Sequence, residues 1–94
     1  MIYNFYIMES INKLRLEIDE INLQLGRLLI ERKKVVECIG QEKHTLGIEV
    51  YDRNRETYIF QMLRQHFTQQ EYNYLEPIFK EVIKKSRQVQ IVSN

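Results

Sequence analysis

From Ile11 the apolar residues run Ile11, Leu14, Ile18, Ile21, Leu25 and Leu28, then pass Arg32 to reach Val35 and Ile39. The steps alternate three and four, the seam of a long helix packed against other helices. A helix from about Ser10 to Glu42 is roughly 50 Å long at ~1.5 Å per residue. A compact domain of 94 residues has a radius of gyration of ~13 Å, hence a diameter of ~26 Å. Two short helices of the same chain cannot cover such a seam. A second copy is the simplest cover.

The rest of the chain has few places to turn, with three Gly and one Pro. His44 to Tyr51 contains Gly47 and reads as a loop. Asp52 suits an N-cap, and Arg53 to about Phe67 carries Ile59, Met62, Leu63 and Phe67 at helical spacing. Thr68-Gln69-Gln70-Glu71 fits a capping box, with Thr at the cap and Glu three residues on. A third helix follows, with Leu75, Ile78, Phe79, Val82, Ile83, Ser86 and Val89 on one stripe. Pro77 inside it should kink the first turns or delay the regular start. Residues 92–94 should fray.

Composition removes several classes of function. A hydrophobic share of 44% with 29% charged residues and no low-complexity tract argues against disorder. A net charge of +1 makes no field to recruit nucleic acid or an anionic membrane. Arg32-Lys33-Lys34 and Lys84-Lys85 are too short to form a basic patch. No apolar run approaches the ~20 residues of a membrane span. The opening MIYNFYI lacks the basic start of a secretory signal. One cysteine, Cys38, excludes an intrachain disulfide and a structural zinc site, and reads as a small buried hydrophobe. These features fit a reduced, cytoplasmic domain.

The informative positions are those where the apolar stripes break. Arg32 occupies a seam position, Asp52 and Glu56 continue backwards the line through Ile59, Phe60 and Leu63, and Ser86 and Gln90 interrupt the third stripe. Burying an unpaired guanidinium costs several kcal/mol, so each break needs a partner. Three helices with polar breaks near one end suggest one shared pocket. Arg32 and Lys43, eleven residues apart, fall within ~20° on a helix and about 16 Å along its axis, within joint reach of one small ligand. Asp52, Arg55 and Glu56 stand at i, i+3 and i+4, as Ser86 and Gln90 stand at i and i+4. Arg15 lies seventeen residues before Arg32, roughly 25 Å away. One chain cannot bring both to the same small molecule, so an Arg15 in the site must come from the other subunit. His44, His66 and Cys38 have no partners for nucleophilic catalysis, and no metal-ligand spacing or Gly-rich phosphate loop is present. Cations, two carboxylates and neutral donors suit a small dianion that needs orientation and electrostatic stabilisation.

Leu14–Lys43 (LRLEIDEINLQLGRLLIERKKVVECIGQEK) resembles the first helix of the all-helical chorismate mutases. Gly47–Glu56 (GIEVYDRNRE) and Ile78–Gln90 (IFKEVIKKSRQVQ) match in order and spacing, so the resemblance covers about residues 8 to 91. It implies an all-α fold of three helices, one very long, forming an intertwined homodimer with two sites. The implied reaction is the Claisen rearrangement of chorismate to prephenate in aromatic amino-acid biosynthesis, without cofactor or covalent intermediate. By position, Arg32 would bind one substrate carboxylate and Arg15 of the other chain the second. Lys43 and Gln90 would donate to the ether oxygen, where charge grows as the C–O bond breaks. Glu56, with the backbone near Asp52, would hold the ring hydroxyl, and Arg55 and Ser86 would complete the carboxylate contacts and the wall. Glu49 stands where the family often has Pro, and Asn22 replaces a common Asp. Residues 1–7 have no counterpart and read as an extension, with Met8 an alternative start. With 94 residues and no room for a regulatory domain, end-product control would require a partner enzyme of the pathway.

Singly, each position has an ordinary reading. Arg15 can pair with Asp19, Arg32 can set coiled-coil register, Lys43 can favour a helix C-terminus, and Asp52 is an N-cap in any case. Arg55, Glu56 and Gln90 can be solvated, and Ser86 a satisfied helix serine. Arg64, Lys84, Lys85 and Arg87 read as solvated faces. The joint pattern is what carries weight. Two alternatives stay open, an isochorismate-pyruvate lyase on the same scaffold and a non-catalytic helical dimerisation module.

Overall fold

The computed structural model describes residues 2–93, with side chains for residues 6–91. The described residues form three helices and no strand: α1 Ile2–Leu46, α2 Arg53–His66 and α3 Gln69–Ser93. They fall into two compact units, Met1–Arg32 and Lys33–Asn94. The fold class expected from the stripes is therefore observed. Of the segment expected to fray, the side chains of 92–94 lie outside the described residues, while the helical backbone reaches Ser93.

The described residues of the first unit all belong to α1. The helix begins well before Ser10, because MIYNFYI contains neither Gly nor Pro to stop it. Its seam is open: Leu14, Ile18, Ile21, Leu25 and Leu28 are each 51–62% exposed. Single exposed apolar side chains are ordinary, but a contiguous row of them marks an interaction surface.

In the second unit α1 ends four residues later than Glu42, so His44 and Thr45 are helical rather than looped. The stop is Gly47, whose φ of 69° lies in the left-handed region. Its N–H reaches the His44 carbonyl at 3.2 Å, and that of Ile48 reaches the Lys43 carbonyl at 2.8 Å. This paired closure satisfies carbonyls that the helix end would otherwise orphan.

The caps of the other helices are those read from sequence. Asp52 Oδ1 accepts from the Arg55 N–H at 3.0 Å. At α3, Thr68 Oγ1 accepts from the Glu71 N–H at 3.2 Å while Glu71 Oε1 accepts from the Thr68 N–H at 2.9 Å. Pro77 does not delay α3, which runs unbroken from Gln69. The carbonyl deprived of its donor belongs to Asn73, on an exposed face where water can serve it.

The core of this unit draws on all three helices, with Val36, Leu63, Tyr72 and Ile83 buried beside the polar Ser86 and Gln90. The buried side of α1 is the line of Val36 and Gly40, whereas the seam positions Val35 and Ile39 are exposed. The same-chain core thus uses a different stripe of the helix from the seam. Phe67 and Ile78, expected on inward stripes, are exposed, as is Cys38.

Candidate active site

Six of the expected site residues, Lys43, Asp52, Arg55, Glu56, Ser86 and Gln90, belong to the second unit. Gln90 is buried, 8% exposed. Its Nε2 donates to the Ser86 carbonyl at 3.2 Å, and its Oε1 is buried with no hydrogen-bond partner. An amide nitrogen carries two hydrogens, so one N–H remains after that bond. Leaving a buried acceptor unpaired costs about 1–3 kcal/mol. The fold thus leaves one acceptor and one donor of this amide unused.

Gly40 sets the position of Gln90. A Cβ built on Gly40 would lie 2.9 Å from Gln90 Cα and 3.1 Å from its carbonyl oxygen. Those are backbone atoms that cannot swing aside. Glycine at this point is what lets α1 and α3 approach closely enough to bury the amide. Ser86, one turn earlier on α3, is also buried, and its Oγ donates back to the Val82 carbonyl at 2.9 Å.

Glu56 is held by Arg87, a residue expected on a solvated face. Arg87 Nε donates to Glu56 Oε2 at 2.7 Å and Arg87 Nη2 to Oε1 at 2.9 Å. The same guanidinium lies over the Tyr51 ring, 5.2 Å from its centroid. The Glu56 hydrogen bond raises the already high pKa of Arg87, so the guanidinium stays charged. The contact spans 31 residues, which no local spacing rule reaches. The only sequence signal was the place of Arg87 between Ser86 and Gln90.

Lys43 is half-buried and its Nζ donates to the Val50 carbonyl at 2.7 Å, tying the end of α1 to the following loop. An ammonium has three donors, so two remain. Asp52 is engaged as the cap of α2, and the exposed Arg55 guanidinium lies 5.1 Å from the Tyr58 ring centroid. In the first unit, Arg15 is exposed and Arg32 is half-buried.

A second polar cluster lies at Tyr72. Arg64, also expected to be solvated, lies 4.7 Å over the Tyr72 ring. Burial first, and then the hydrogen bond to Glu76, push the Tyr72 phenol above its usual value, with Arg64 opposing. Hydrogen bonds from Tyr72 and then Lys80 hold the Glu76 carboxyl below its usual range.

Comparison with known proteins places the chain in a family. The sequence model of the family described as "Chorismate mutase type II" matches residues 14–91. A protein named chorismate mutase from Methanocaldococcus jannaschii is 32% identical over 59 residues, 63% of this chain and 60% of that protein. The aligned chain thus spans less than two thirds of the curated relative's length. The matched segment encloses every residue of the proposed set, from Arg15 to Gln90, and the chain belongs to the chorismate mutase type II family.

Proposed function

We propose that this chain is a chorismate mutase, a homodimer with two sites that each rearrange chorismate to prephenate for phenylalanine and tyrosine synthesis. The observation that carries the reading is the family match over residues 14–91. The open seam on α1 supports a second copy, because five of its apolar side chains keep more than half their surface exposed. A lone cysteine suits a reducing cytoplasm.

In this reading Arg32 binds one carboxylate of the substrate and Arg15 of the second chain binds the other. Both stand on α1 within the first unit, roughly 25 Å apart at ~1.5 Å per residue, so a single chain does not supply both. Arg55 and Ser86 complete the anion contacts and the wall. Glu56, with the backbone near Asp52, accepts the ring hydroxyl. The reaction breaks the ether C–O bond as a C–C bond forms, and negative charge grows on the oxygen. Lys43, with two N–H donors left beyond Val50, and Gln90, with one left beyond Ser86, face that charge. Donors fixed before the reaction stabilise a transition state without reorganising at the moment of bond breaking. No nucleophile or cofactor takes part.

The test is to follow chorismate loss spectroscopically and identify the product. Prephenate should form, and Arg32→Ala should lower kcat/KM by at least ~100-fold while the dimer persists. Full activity in Arg32→Ala, or pyruvate release from isochorismate with chorismate untouched, would contradict the assignment.

A further inference from the structure

A carboxylate inside a site for a dianion raises a problem of charge. Glu56 would repel the substrate it is meant to orient unless its own charge is cancelled nearby. Arg87 meets that need: both of its bonds to Glu56 are short and run in parallel, at 2.7 and 2.9 Å. Such a fork is the geometry in which a guanidinium fixes a carboxylate plane. It occupies one lone pair on each oxygen and leaves the others free to accept. The Tyr51 ring on the guanidinium face limits the remaining freedom of the pair. Tyr51 comes from the loop between α1 and α2, Glu56 from α2 and Arg87 from α3, so three segments of the second unit meet at one cation.

We propose that Arg87 is a positioning residue for the anion site, neutralising Glu56 and holding its carboxylate in the plane that accepts the substrate hydroxyl, with Tyr51 as the backing of the fork. This rests on the mutase reading above. Arg87 acts through Glu56 and not on the substrate. Its removal should therefore weaken binding of the dianion more than it slows the bound substrate, and only while position 56 carries a charge.

The experiment is steady-state kinetics with chorismate on the full-length protein, with Arg87→Met and Arg87→Lys each made alone and in Glu56→Gln. Arg87→Met should raise KM about tenfold and change kcat by less than about threefold. Arg87→Lys keeps the charge but loses the fork, so its KM should rise by only about threefold. In the Glu56→Gln background, either substitution should change KM by less than about twofold. An equal rise in KM in both backgrounds would overturn the inference, because Arg87 would then act on the substrate or the fold directly. An unchanged KM in the single variants would also overturn it. Should Arg87→Met fail to fold, by circular dichroism, the two Arg87→Lys backgrounds give the same comparison. Wild-type protein that leaves chorismate unchanged would contradict the mutase reading itself, and this inference with it.

Discussion

At the level of single residues, the role proposed for Gln90 is testable through its buried amide. Being neutral, it can donate at any pH in the physiological range. A carboxyl at this enclosed position donates only when protonated. Gln90→Glu should keep activity in acid and lose it as pH rises through the carboxyl pKa, whereas the wild-type kcat/KM stays flat across neutral pH. Matching pH–rate profiles would remove the ether-oxygen role. The Tyr72–Glu76 pair makes a separate prediction about stability. Glu76 is held below its ordinary 4.5, so its contribution is present above that pH and is lost as pH falls through the lower folded value. Tyr72 is raised above 10.0, so its contribution is present below that pH and is lost only as pH rises through the folded value. Tyr72→Phe should therefore lower Tm at pH 7, and the deficit should shrink as pH falls through the Glu76 titration. A deficit that does not change with pH would contradict the pairing. Local residue features were legible from sequence, since Asp52 and the Thr68–Glu71 box form bonds within three residues. Arg87 was not legible, because its partner stands 31 residues away and a lone arginine on a helix is most often solvated.

Among the elements, the close approach of α1 and α3 at Gly40 matters most to the candidate site. Alanine in a helix interior normally gains about 1 kcal/mol over glycine. At Gly40 the added Cβ would meet backbone atoms of Gln90 at 2.9 and 3.1 Å, so the sign reverses. Gly40→Ala should lower kcat/KM at least tenfold and reduce Tm, with helix content by circular dichroism retained. An alanine variant that is more stable and equally active would show that the approach is not needed. Element identity was readable from periodicity, and α2 begins where the cap placed it. α1 runs past the expected Glu42 to Leu46 because Gly47 is the residue that adopts the left-handed cap, a conformation that periodicity does not reveal. The same helix carries two stripes, and the seam was the more regular of them. The buried line through Val36 and Gly40 makes no apolar stripe, since one of its two members has no side chain to count as apolar.

For the whole molecule, the length of the seam set the expectation of a second copy, and its exposure on α1 agrees with that need. The family was legible because polar breaks on three helices kept their order and spacing, and the family model spans 14–91. What sequence could not supply is the geometry around Gln90, which depends on a helix contact made through the absence of a side chain. The proposed completion of each site by Arg15 of one chain and Arg32 of the other can be tested by complementation. Arg15→Ala and Arg32→Ala proteins, each nearly inactive alone, can be unfolded together and refolded as a 1:1 mixture. Half of the resulting dimers are mixed, and each mixed dimer has one intact site and one doubly altered site, which sums to about one quarter of wild-type activity. Recovery of prephenate formation to that level is the expected result. A mixture that stays as inactive as its parents, although mixed dimers are present, would contradict the shared site.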